Sequence, residues 1–168
     1  NEILWALNIT GYECKYSDPR FSKTYEYGIF REQYMTLEEY KKKYFDSSRP
    51  YTVGLLESNM YVSNGQLQPY YALIKSLEAK GCNVIPVVAA GGSENQLKVM
   101  VKYFTNAPSY EAYLNNPLKY TNNVNAIISM PAYGIGGNLF DNTTKYFETA
   151  GVPVFRAVHS DYVSNEEW

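Results

Sequence analysis

The stretch Tyr51–Val88, YTVGLLESNMYVSNGQLQPYYALIKSLEAKGCNVIPVV, reads as strand, polar loop, helix, tight turn and strand. Val53-Gly54-Leu55-Leu56 is a short apolar run ending in Glu57, Ser58 and Asn59, the pattern of a buried strand opening into a polar site. From Leu67 the period turns helical: Leu67, Tyr70, Tyr71, Ile74 and Leu77 recur at spacings of three and four. Pro69 is tolerated there because the N–H groups of a first helical turn have no partner to lose. Gly81 supplies the left-handed stop, and Asn83–Val88 is a second apolar run. Two strands joined through one helix by short loops run parallel, with a right-handed crossover. The stretch is a βαβ unit, and the chain an α/β protein.

Outward from this unit the same grammar repeats. Ala89-Ala90-Gly91-Gly92-Ser93 is a small-residue loop, and Ser93-x-x-Gln96 suits a helix N-terminus. Leu97, Met100, Val101 and Phe104 form that helix's apolar stripe, which reads as core. Pro108 ends it, Ser109–Leu114 reads as a short helix, and Asn115-Asn116-Pro117 as a turn. Val124–Met130 is a third apolar strand, Pro131–Asn138 a glycine-rich loop, and Asp141 or Asn142 caps a helix through Tyr146, Phe147 and Ala150. Val152–Val158 is a fourth strand. Strands apolar throughout, alternating with helices, predict an open, mostly parallel sheet with helices on both faces, flavodoxin-like or Rossmann-like. Upstream, Ile3–Ile9 reads as a first strand or an incoming edge segment, Thr10–Ser22 as loop and Tyr25–Phe30 as a short extended piece. Thr36-Leu37-Glu38-Glu39 is a capping box for a helix presenting Leu37, Tyr40 and Tyr44 on one face. The expected organisation is one α/β domain, 1–168, excised from a longer protein: an N-terminal segment with one helix, 1–50, and a βαβ core, 51–168.

Composition excludes several classes. Hydrophobic residues at 45% and charged residues at 19% fit a globular chain, and 168 residues suffice for one buried core. A net charge of −2 argues against a nucleic-acid or anionic-membrane surface. The run Lys41-Lys42-Lys43 reads as a solvated helix face. The 18 tyrosines read as compositional bias. Cys14 and Cys82 fit no metal-ligand spacing and read as two buried thiols, with a disulfide the alternative. The sequons at Asn8 and Asn142 matter only in an exported protein, and no run reaches membrane-spanning length.

In parallel sheets ligands collect beyond the carboxyl ends of the strands. Four loops qualify: Glu57–Gly65, Ala89–Ser93, Pro131–Asn138 and His159–Ser164. Candidate ligand-binding residues are Glu57, Ser58, Asn59, Tyr61, Gly91, Gly92, Tyr133, Gly136 and Gly137. The glycines have neither a dinucleotide fingerprint nor a phosphate-loop lysine. His159, the single histidine, lies too close in sequence to Ser160 and Asp161 to form a triad with them, and one histidine makes no zinc site. No catalytic constellation and no metal set is visible.

Several segments, in order, resemble the large subunit of cobalt and magnesium chelatases. They are Glu38-Glu39-Tyr40, Pro50–Leu56, Leu77–Val87, Ala90-Gly91-Gly92, Val124–Ser129, Tyr133-x-x-Gly136-Gly137, Val152–Val158 and Glu166-Glu167-Trp168. The tail is closer to the cobaltochelatase large subunit. The resemblance implies a domain from the N-terminal part of a tetrapyrrole-binding subunit. Such a subunit holds a porphyrin or corrin while AAA+ ATPase and adaptor chelatase subunits, carrying ATP and Mg, drive insertion of Co or Mg. It implies no cofactor resident in this domain and a cytoplasmic location, or the cell surface if the full-length chain carries an export signal; with no base-and-ligand set visible, no metal insertion by the domain alone is expected. Family members commonly carry an Arg-x-His pair after the first strand of the unit; Asn59 and Tyr61 stand there, neutral groups in place of a cation and an imidazole. That departure favours a second expectation, a non-enzymatic ligand-binding or assembly module that kept the fold.

Overall fold

In a computed structural model, which describes residues 9–11, 27–90, 93–130, 146 and 148–157, the polypeptide is built on one six-stranded sheet. The elements are β1 (Tyr27–Arg31), β2 (Gln33–Met35), α1 (Leu37–Tyr44), β3 (Tyr51–Ser58), α2 (Asn59–Ser63), α3 (Gln68–Ala79), β4 (Cys82–Ala89), α4 (Ser93–Phe104), α5 (Tyr110–Asn115), β5 (Ala126–Ser129) and β6 (Val154–Arg156). Strand order is β2-β1-β4-β3-β5-β6. β4, β3, β5 and β6 are mutually parallel, and the β1–β2 hairpin adds antiparallel to β4. The α/β reading holds, with an antiparallel extension at one edge.

The βαβ unit forms where its sequence places it. Val53, Leu55 and Leu56 of β3 and Val84, Ile85, Val87 and Val88 of β4 are buried. α3 starts after Leu67 with Pro69 in its first turn, and Gly81 adopts φ +79° beyond its end. Leu56, Ile85, Val87 and Ala89 face one helical layer, containing Tyr40 of α1, Leu97, Met100 and Phe104 of α4 and Tyr113 of α5. Leu55, Val84 and Val88 face the other, containing Tyr61 of α2 and Tyr70 and Ile74 of α3. Strands buried on both faces require unbroken apolar runs, which is why periodicity finds them without alternation. Burying one such Leu or Ile contributes roughly 1.5–3 kcal/mol.

Polar side chains lock the opposite, amino-terminal edge. Asn83 accepts from Asp46 N–H and donates to Asp46 C=O, both at 2.9 Å. Asn125 clasps Thr52: its Oδ1 accepts the Thr52 N–H at 2.8 Å, and its own N–H donates to Thr52 C=O at 2.7 Å. At the hairpin, Arg31 donates to both Glu78 carboxylate oxygens at 2.5 and 3.0 Å and lies 4.2 Å from the Tyr44 ring centre, tying α1 and α3 across the sheet edge.

Several expectations need correction. Glu57–Gly65 is not a loop throughout: β3 continues to Ser58, and Ser58 Oγ accepts the Met60 N–H at the start of α2. Ile9 is helical and not strand, and the rest of the expected Ile3–Ile9 strand lies outside the described residues. β5 is shorter than Val124–Met130, although Val124 and Met130 are buried beside it. β6 is a three-residue edge strand with exposed positions, Phe155 at 58%, not a strand covered on both faces. Cys82 is a free thiol only partly buried; Cys14 lies outside the described residues. The Lys41–Lys43 face is exposed as expected.

Candidate functional site

Because β4 lies on one side of β3 and β5 on the other, the chain reverses its direction of winding at β3, and a crevice at the carboxyl ends of β3 and β5 is the position α/β sheets use for ligands. Parallel register fixes the rim. Glu57 lies opposite Val88 and Ser58 opposite Ala89. Met130 N–H donates to Leu56 C=O one step inside it, at 2.9 Å.

Glu57 is 1% exposed and shares the α3 face with Leu55. One carboxylate oxygen, Oε1, accepts the Ser58 N–H at 2.7 Å. Burying a carboxylate is expensive unless it is hydrogen-bonded, so a glutamate at the end of an otherwise apolar strand is a costly choice for packing alone. Its charge reaches Tyr70: burial above all, with the neighbouring phenols and Glu57, holds the Tyr70 hydroxyl well above its ordinary range. Tyr70 is therefore a neutral donor, and it donates to Phe30 C=O at 2.7 Å.

Ser58 Oγ is occupied in capping α2. Asn59, the first residue of α2, is half-buried, and its side-chain amide has no hydrogen-bond partner among the described residues. Tyr61 turns inward and is 4% exposed in the core beside Tyr70. Structure thus brings Glu57, Ser58 and Asn59 to the rim and places Tyr61 beneath it. Gly91, Gly92, Tyr133, Gly136, Gly137 and His159 lie outside the described residues.

Gln96, in the first turns of α4, was read from sequence only as a helix-start signal. Helix α4 does begin at Ser93, but Gln96 is 5% exposed and its buried Oε1 has no hydrogen-bond partner among the described residues. A buried polar atom left unpaired costs about 1–3 kcal/mol, so Gln96 is a second expensive polar choice, on the helix that follows β4. Its signal in the sequence is a glutamine at the spacing of Val99, Met100 and Tyr103, where an aliphatic residue would pack.

A carboxylate and neutral amides can grip a ligand through hydrogen bonds. Among the described residues no group of three metal-ligating side chains comes together. A protein-family model described as CobN/Magnesium Chelatase matches residues 5–168. No curated protein matches the chain.

Proposed function

The chain belongs to the CobN/magnesium chelatase family, and from that membership we propose that it is one α/β domain of a chelatase large subunit that helps to hold a tetrapyrrole during metal insertion. The observation carrying the reading is the buried Glu57 carboxylate at the rim of β3, beside the uncommitted Asn59 amide. Pyrrole N–H groups are donors that a carboxylate accepts, and the acidic side arms of such rings are acceptors for an amide. The domain's part is positioning, and the driving ATPase and adaptor subunits are separate chains. The tail Glu166-Glu167-Trp168 inclines the reading to cobalt over magnesium, and a cytoplasmic setting goes with it. No described helix is long and apolar enough to cross a membrane.

Titration with a free-base porphyrin and with a metal-free corrin, followed by visible absorption, tests this reading. Saturable spectral change is expected, weakened about tenfold or more by Glu57→Gln and by Asn59→Ala, the scale of a hydrogen bond involving a charged group. The chain alone inserts no metal. Absence of a spectral change at high micromolar ring would remove ring binding from this domain.

A second reading, a binding or assembly module without chelation, is favoured by one observation. Tyr61 is committed to the core, and it and Asn59 stand where the resemblance would set an imidazole and a cation. Unchanged ring affinity in Glu57→Gln and Asn59→Ala would favour it.

A further inference from the structure

We infer that the groove between β1, α4 and α5 is a binding site for a small organic anion with a flat apolar body, held by Lys102. The groove encloses about 240 Å³ and is lined by Tyr27, Lys98, Lys102, Tyr110 and Glu111 among others. Lys102 Nζ lies 5.3 Å from the centre of the Tyr27 ring and 5.1 Å from that of Tyr103. Two ring faces hold the ammonium at the groove, and no carboxylate among the described residues pairs with it. Ring faces attract a cation by only about 0.5–1 kcal/mol at exposed sites, and they accept none of its N–H bonds in the strong, linear way an oxyanion does.

The other charges of the groove are already engaged. Lys98 pairs with Glu94 at 2.9 Å, one helical turn away. Glu111 is drawn back onto the first turn of its own helix, where its backbone N–H and the Ser109 hydroxyl hold its carboxyl below the ordinary range. Among the described residues of the groove, Lys102 is therefore the cation open to a ligand. Tyr27, Ala107, Pro108 and Tyr110 supply apolar walls, which suit a ring or short hydrocarbon body attached to a carboxylate or phosphate.

The groove is separate from the rim around Glu57. Tyr27 lies opposite Ala89, and Ala89 opposite Ser58, so two strand spacings, roughly 10 Å, divide them. The inference does not depend on ring binding at the rim.

Calorimetric titration of the chain with phenyl phosphate, inorganic phosphate and benzoate tests it. Phenyl phosphate and benzoate are expected to bind saturably, phenyl phosphate more tightly than inorganic phosphate. Lys102→Gln weakens phenyl phosphate about tenfold or more. Lys119→Gln, which removes a lysine set over Tyr120 and outside this groove, leaves affinity unchanged. Failure of phenyl phosphate or benzoate to saturate, equal phenyl phosphate affinity in Lys102→Gln, weakening by Lys119→Gln, or inorganic phosphate binding as tightly as phenyl phosphate would each overturn it.

Discussion

Gly54, in the middle of β3, has no room for a side chain: a Cβ there would sit 2.9 Å from Cε1 and Cζ of Phe104. The glycine is a packing decision, made so that the α4 ring can lie close against the central strand. Gly54→Ala is expected to lower stability by about 1–3 kcal/mol in urea unfolding. In Gly54→Ala/Phe104→Leu the two losses should add to less than their sum, because the clash disappears with the ring. Full additivity would show that the contact is not the cause. From sequence alone Gly54 was only a small residue inside an apolar run, since what crowds it lies fifty residues downstream. Glu57 was legible as a strand-end polar residue, but its burial was not. Ser93-x-x-Gln96 did mark the start of α4, but the burial of Gln96 was not legible, because the pattern describes a helix start equally well whether the amide turns back to the backbone or inward. Burial depends on what covers a residue, and local spacing does not carry that.

At the scale of elements, legibility followed how much of an element's stability is local. The βαβ unit announces itself through apolar runs, a helical period and the Gly81 stop, all encoded within it. The β1–β2 hairpin was only half seen because it turns at Glu32 with φ +66°, a conformation glycine or asparagine usually signals, and here the Tyr71 hydroxyl accepts the Glu32 N–H instead. Helix α2 was missed because five residues carry no period; Ser58 as cap is its one local sign. The box opening α1 was fully legible. Thr36 Oγ1 accepts the Glu39 N–H, and Glu39 Oε2 accepts the Thr36 N–H. The bond from the Thr36 backbone, then that from its hydroxyl, hold the Glu39 carboxyl below its ordinary range. A carboxyl lowered on folding contributes stability that is fully present at neutral pH and lost as pH falls below the ordinary carboxylate range, through the lowered folded value. Glu39→Gln is therefore expected to flatten that part of the pH–stability curve measured by thermal unfolding. An identical acid slope in wild type and variant would show that the box does not titrate.

For the whole molecule, sheet class and two-sided helical cover followed from sequence because parallel strands demand both. The sparse cover of β6 did not, since a strand's apolar letters look the same at the centre and at the edge of a sheet. The family came from segments spread along the chain, whereas the rim's chemistry needed register: only pairing shows that Ser58, Ala89 and Tyr27 form one row across three strands. The Thr52–Asn125 clasp has a consequence in time. It joins positions 73 residues apart, while the β3–β4 pairing closes through the shorter connection made by α2 and α3. Loop closure makes the distant partner slow to arrive, so β3, α3 and β4 should assemble before β5 adds to them. Asn125→Ala should then accelerate unfolding while leaving the refolding rate nearly unchanged in stopped-flow experiments, and a matching drop in refolding rate would place the clasp in the folding nucleus. Strand β3, central in space, would also be central in sequence of events: a finished edge first, and only afterwards the middle of a sheet.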